Sequence, residues 1–290
     1  TPSPPPPSAL LPAELVPKWV RKPYIAHGYR AVGQAPLRAA CSAGAWHNET
    51  VNVWTHAVAA AAFLAAMPWV AAVGMKGAEV GEKLLVVGYM VACVALFGAS
   101  AVYHLMDCMT EGISTCLCRN DVRAIVGVIG ASYMPALYMF FDGHPWATAF
   151  YLALIVVITT VSIALVDYFD HTDQDMAKNL LLIGNACWGI LPILHRLALM
   201  FLYSDLDTGV AYFFVKRLGL MYALYASGLV FYFAKWPEVG GSGRFDIVGA
   251  SHQWWHLFVA AAATSWLCTL VQVHNRMQPE LFYLDISNSN

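Results

Sequence analysis

Seven stretches of about 20 mostly apolar residues recur along the chain, at approximately 51–74, 84–106, 122–141, 147–166, 180–203, 211–234 and 251–273. Each is long enough, as a helix, to cross a hydrocarbon core roughly 30 Å thick. All are rich in alanine, leucine and valine, as helices must be when lipid offers their backbone no partner. Leu84–His104 and Ala147–Val166 carry no acidic or basic residue apart from His104 at one end. The fifth stretch contains His195 and Arg196, and the sixth has Lys216 and Arg217 within or beside its apolar run. The pattern predicts an all-α membrane protein, a bundle of seven transmembrane helices. Three regions follow: a Pro-rich tail and interfacial segment over 1–22, the seven-helix domain over 23–273, and a short C-terminal tail over 274–290.

Composition agrees with a lipid environment. Hydrophobic residues make up 59% of the chain and Asp, Glu, Lys and Arg 12%, against roughly 45–50% and 25% in an ordinary soluble domain. The net charge of −2 and the absence of a basic run argue against nucleic acid as a partner. The seven cysteines are scattered and do not suggest a disulfide framework. Residues 1–8 are proline-rich, unlike a signal peptide, and are expected to be disordered. The chain starts at Thr rather than Met, as expected of a trimmed sequence.

Charge placement orients the spans. Lys18, Arg21, Lys22, Arg30, Arg38, Arg119, Arg123, Lys178, Lys235 and Arg244 fall on the side of the N-terminus. Lys76, Lys83, Lys216, Arg217 and Arg276 fall on the other. The positive-inside rule therefore favours a cytosolic N-terminus. Leu10–Val20 reads as a short amphipathic helix along the membrane surface.

With that alternation, His104 ends the second span, Asp121 begins the third, and His252 and His256 open the seventh. All four lie at the same, cytosolic level. Ionisable side chains at membrane depth usually face the interior in a working role. His252 and His256, spaced i, i+4, present both rings from one helical face. With His104 they make the three ligands of a catalytic zinc site. Asp121 would hold or deprotonate a water there, and Ser100, one turn before His104, would hydrogen-bond that water or a substrate oxygen. Zinc lowers the pKa of a bound water to about 7 and polarises carbonyls, which is the chemistry of amide hydrolysis. Spacing alone also admits haem ligation or simply packed histidines.

Several motifs then resemble one family. Gly28-Tyr29-Arg30 and His47-Asn48-Glu49-Thr50-Val51-Asn52-Val53-Trp54-Thr55-His56 resemble the entry to the first span of the progestin and adipoQ receptor family. Ser100-Ala101-Val102-Tyr103-His104 is similar to its S-x3-H motif, and Asp121 stands at its third-span aspartate. Gly243–Ile247 and Ser251–His256 resemble its entry to the seventh span, with H-x3-H intact, and Pro192–His195 is a weaker likeness. The Gly243–Ile247 run is similar to adiponectin receptors and plant heptahelical proteins, whereas His47–His56 is nearer some progestin-type and Golgi-type members. The loop Leu105–Asn120 departs from the usual text, and no eighth span follows residue 273.

The resemblance implies a receptor with a cytosolic N-terminus and a Zn2+ ion on His104, His252 and His256, with Asp121 and Ser100 beside it. Its partners would be membrane lipids and a hormone or lipid ligand. The alternative is a zinc-dependent, ceramidase-like hydrolase of a lipid amide. Either would be an integral multi-pass protein of the plasma membrane or of Golgi or endoplasmic-reticulum membranes. A rhodopsin-type receptor is not indicated, since neither Asp-Arg-Tyr after span three nor Asn-Pro-x-x-Tyr in span seven occurs.

Other features read as structural. Asn48-Glu49-Thr50 is a glycosylation sequon on the cytosolic side, expected to be unmodified and to serve the helix entry. His56 is a further polar neighbour of the site or an anchor for helix packing. Asp167, Asp170, Asp173 and Asp175 lack the glycine and glutamate of a calcium loop and read as a solvated acidic loop. Cys108, Cys116 and Cys118 read as reduced thiols in the loop between spans two and three, with palmitoylation or a second metal site as alternatives. His195 and Arg196 read as an interior hydrogen-bonding pair.

Overall fold

A computed structural model describes residues 10–204, 208–241 and 243–277. The N-terminal eight-residue proline run and the end of the C-terminal tail lie outside these residues. Among the described residues there is no β-strand, only an isolated bridge between Leu11 and Tyr29. A short helix α1 (Pro36–Cys41) precedes α2 (Thr50–Trp69), α3 (Val80–Met106), α4 (Glu111–Phe140), α5 (Pro145–His171), α6 (Asp175–Cys187), α7 (Ile190–Tyr203), α8 (Thr208–Ala234) and α9 (Ser251–Met277). With α6 and α7 taken together, seven helical segments among the described residues are long and apolar enough to cross a membrane. The protein is an integral, multi-pass membrane protein.

Helix ends depart from the apolar pattern where polar residues remain helical. The third span begins at Glu111, well before the predicted 122. Cys116 and Cys118 are therefore helical rather than in a loop, and Asp121 sits well inside α4 rather than at its start. Hydropathy detects only the part of a helix that lies in lipid, so polar turns beyond it go unseen. The seventh helix likewise runs on to Met277, past the predicted 273. Leu10–Val20 forms two 3-10 turns, Ala13–Leu15 and Lys18–Val20, in place of one amphipathic helix. Pro12 and Pro17 precede each turn, and proline has no N–H with which to extend a helix through its own position.

The fifth span is two helices. Pro192 would crowd the carbonyl of Trp188 and cannot donate to it, and the chain breaks at Trp188–Gly189. Tyrosines satisfy the backbone there. The Tyr133 hydroxyl lies 2.6 Å from the Ala186 carbonyl and accepts from Gly189 N at 3.1 Å. Tyr222 donates to the same Ala186 carbonyl at 2.7 Å. His195 and Arg196 diverge, as neighbours on a helix do. His195 Nδ1 meets the Tyr151 hydroxyl at 2.9 Å, while Arg196 donates to the Phe140 carbonyl. The acidic stretch is ion-paired and mostly helical rather than a solvated loop, with Asp167 and Asp170 in the last turns of α5 and Asp175 at the start of α6: Asp167 binds Arg123 through both oxygens at 2.8 Å, and Lys178 bridges Asp170 at 3.3 Å and Asp175 at 2.8 Å.

The chain divides into two compact units. One comprises the residues up to Ala60 with Phe97–Asp121 and Ala223–Ala262. The other comprises Ala61–Leu96, Val122–Tyr222 and the residues from Ala263 on. In the first, Val16, Val20, Ile25 and Tyr29 of the N-terminal segment pack with Ala250, the residue before α9. In the second, Leu137, Phe141, Ala147, Tyr151, Ile155 and Leu199 form an apolar cluster. The two spans that carry the three histidines are the most enclosed: 44% of the most apolar window of α3 and 50% of that of α9 are buried, against 11% in the sixth span.

Candidate metal site

Every residue proposed for the site lies in the first unit. His104 stands in the last turn of α3. Arg30 fastens that helix end by donating to the carbonyls of His104 (2.8 Å) and Leu105 (2.6 Å) and to Asp107 Oδ1 (2.7 Å). The entry to α2 is built from the His47–His56 run. Thr50 Oγ1 accepts from His47 N at 2.8 Å and donates to the Ala45 carbonyl at 2.7 Å. Asn48 N donates to the Gly28 carbonyl at 2.9 Å. Gly28 has φ +89°, and a Cβ there would stand 3.4 Å from Asn48 N, so the approach suits glycine. Asn48 is buried, in keeping with a structural role for the sequon.

His252 and His256 occupy the first turns of α9. The carboxylate of Glu238 caps that helix, accepting from Ser251 N at 2.7 Å and from the Ser251 hydroxyl. An anion at a helix N-terminus is favourable on dipole grounds too. Gln253 ties the preceding loop down, accepting from Gly249 N at 2.6 Å and donating to the Ile247 carbonyl at 2.8 Å.

These anchors bring three ring nitrogens together. His252 Nε2 lies 3.3 Å from His104 Nε2 and 3.2 Å from His256 Nε2, and one nitrogen from each ring falls within 4.8 Å of the others. The opposite nitrogens of two of the rings have acceptors. His104 Nδ1 faces Glu49 Oε2 at 2.8 Å. His256 Nδ1 faces Thr55 Oγ1 at 3.1 Å, and that hydroxyl already directs its proton to the carbonyl of Val51 or Asn52 at 2.8 and 3.0 Å. Glu49 burial would raise its carboxyl, but Lys22, His104 and Asn52 outweigh this and hold it well below the usual carboxylate range.

Tautomers follow from these partners. An ionised carboxylate only accepts, so His104 carries its proton on Nδ1 and presents a bare Nε2. The same reasoning applies to His256 against Thr55. Two bare nitrogens then converge on His252 Nε2, which has at most one proton to share. Such a group lacks positive charge at its centre and fits a cation. Ligands placed tetrahedrally at about 2.0–2.1 Å from zinc are themselves about 3.4 Å apart, close to the separations found here. Three imidazoles also suit zinc as a donor set. The group is the sole cluster of its kind among the described residues.

Ser100 is buried one turn before His104. Asp121 lies near enough to Ser100 and His104 for both to act on its carboxyl group. His56 stacks on His256 with ring centres 3.7 Å apart and 7° between planes, and lies 5.0 Å from Phe97. It is a packing neighbour of the three histidines and is not one of them. Sequence reasoning left Thr55, Glu238 and Lys22 without a role, and gave Glu49 none at His104. The His47–His56 run did carry a signal for one of them: Glu49 is seven residues, about two helical turns, from His56, whereas Thr55 is its immediate neighbour and had no such signal.

The model of the family described as "Haemolysin-III related" matches residues 44–267. Progestin and adipoQ receptor-like protein 1 of Caenorhabditis elegans is 27% identical over 259 residues, covering 86% of this chain and 57% of the worm protein. Adiponectin receptor protein of Drosophila melanogaster is 26% identical over 257 residues, covering 86% of this chain and 56% of the fly protein. Heptahelical transmembrane protein 5 of Arabidopsis thaliana is 33% identical over 167 residues, covering 57% of this chain and 43% of the plant protein. The chain thus spans about half the length of these relatives.

Proposed function

For a chain that belongs to the haemolysin-III-related family, which takes in the progestin and adipoQ receptors, we propose a seven-span receptor with a zinc ion on His104, His252 and His256. The N-terminus lies in the cytosol, so the site is on the cytosolic side. The Pro-rich tail with its interfacial segment, the seven-helix domain and the C-terminal tail are its three regions. The ligand is a hormone or a lipid, in keeping with the names of the worm and fly relatives. One observation carries the metal reading: three mutually facing Nε2 atoms, two of them left bare by Glu49 and Thr55. In this reading zinc joins α3 to α9, and a ligand acts by changing how those helices meet.

A second reading is favoured by one specific arrangement, the placing of Ser100 and Asp121 beside His104. It makes the protein a zinc-dependent hydrolase of a lipid amide. Zinc, when bound, would polarise the amide carbonyl and acidify a water. Asp121 accepts the proton of the attacking water and returns it to the departing amine. Ser100 would help to hold that water or the developing oxyanion. The two readings are compatible, because a receptor can signal through its lipid product.

Asp121→Asn separates them. The variant is expected to keep its zinc, measured by mass spectrometry of detergent-purified protein, and to lose turnover of a short-chain ceramide. Full turnover in Asp121→Asn would sink the hydrolase mechanism. Ligand binding retained in the same variant supports the receptor reading, and its absence there removes that reading's independent support.

A further inference from the structure

The N-terminal segment brings one cation to the edge of the histidine site. Lys22 Nζ stands 3.4 Å from Glu49 Oε1, 3.6 Å from Asp107 Oδ2 and 3.3 Å from the Tyr103 hydroxyl. It also lies 5.3 Å from the centre of the Tyr103 ring. Tyr103 and Asp107 flank His104 in sequence, and Glu49 is the carboxylate on His104 Nδ1. A single ammonium therefore reaches both the helix end that carries His104 and the group that orients its ring.

The two oxygens of Glu49 have different partners. Oε2 faces His104 Nδ1 at 2.8 Å and accepts from Asn52 at 2.6 Å. Oε1 faces Lys22 at 3.4 Å and the Asn48 amide at 3.4 Å. A cation on Oε1 holds the carboxylate in the rotation that leaves Oε2 for the histidine. Glu49 is also 1% exposed, and a carboxylate cut off from water is costly without an ion partner. Asp107 already has Arg30 at 2.7 Å, so Glu49 is the carboxylate that depends on Lys22.

We propose that Lys22 is a positioning residue for the metal site, acting through Glu49 on the orientation of His104. The proposal rests on the zinc reading of that site. It makes the N-terminal segment part of the site's architecture: displacing Lys22 would loosen the metal without touching a ligand.

The test uses the full chain in detergent, with zinc affinity from chelator competition and the visible spectrum of the cobalt-substituted protein. Glu49→Gln is expected to weaken zinc about 10- to 100-fold, the range for groups that orient a ligating histidine. Lys22→Met, one step further out, is expected to weaken it about 3- to 10-fold and to shift the cobalt bands, while Lys22→Arg restores both. Adding Lys22→Met to Glu49→Gln is expected to cause no further loss. Wild-type zinc affinity and cobalt bands in Lys22→Met would overturn the proposal. So would an undiminished extra loss in the double variant, which would mean that Lys22 acts independently of Glu49. Should Lys22→Met not fold, as judged by circular dichroism, Lys22→Gln serves for the same comparison. Metal-free wild type after zinc loading would instead overturn the underlying zinc reading.

Discussion

His274 and the group of His104, His252 and His256 are imidazoles in membrane helices, yet their nitrogens face opposite kinds of partner. His274 Nδ1 lies 2.9 Å from Glu82 Oε1, and its Nε2 lies 3.1 Å from the Lys76 carbonyl. Both partners accept, so both nitrogens have somewhere to send a proton, and the ring is complete as it stands. In the other group, the outer nitrogens of His104 and His256 have acceptors, and the inner nitrogens of all three rings have one another. Burial, helix context and residue type are shared. What distinguishes a clamp from a candidate metal site is the balance of donors and acceptors around each ring.

Breaking each group in turn tests that contrast. The largest effect is expected from His252→Ala: about one zinc per wild-type chain, as a three-histidine site would hold, should fall to background in the purified variant. Zinc content that did not change would move the metal elsewhere. His274→Ala is expected to leave zinc content alone and to destabilise the fold, because Glu82 loses its partner while its side chain remains 10% exposed. Stranding one member of a buried pair costs about 3–5 kcal/mol, readable in thermal unfolding in detergent. Loss of zinc in that variant would mean that the two groups are not separate devices.

The smallest effect sharpens the comparison with a third histidine. His47 accepts from Glu49 N through Nδ1 at 3.1 Å, and its Nε2 lies 3.2 Å from the Ser42 carbonyl. Burial, with Arg30 adding to it, lowers its pKa to about 4. The folded value is below the unfolded one, so the stabilisation is complete above pH ~6.5 and declines as pH falls towards 4. Wild type is expected to lose stability faster than His47→Gln across that window in unfolding measured against pH. Parallel curves would show that His47 does not titrate there.

Much of the fold was legible because the signal is local. A run of about 20 apolar residues reports a spanning helix wherever it packs, and all seven are present. The parity of the spans put His104, His252 and His256 at one level, and they do converge. Less legible were the features whose cause is polar or non-local. The early start of α4 is invisible to hydropathy, because its first turns hold Glu111, Ser114 and Thr115. The break in the fifth span had a signal in Pro192, but its tolerance depends on Tyr133 and Tyr222 supplying hydrogen bonds from other helices. The paired acidic stretch is a similar case: Asp167 and Asp170 found Arg123 and Lys178.

The sequence by itself determined the number of spans, the residue types available for chemistry and the level at which they could meet. Those properties follow from apolar run length and from alternating direction, both counted along the chain. Only the tertiary structure decided that Glu49 and Thr55 take the outer nitrogens of His104 and His256, and that Lys22 backs Glu49. These choices depend on side-chain rotamers and on the lateral approach of helices, and neither leaves a periodic mark in the order of residues.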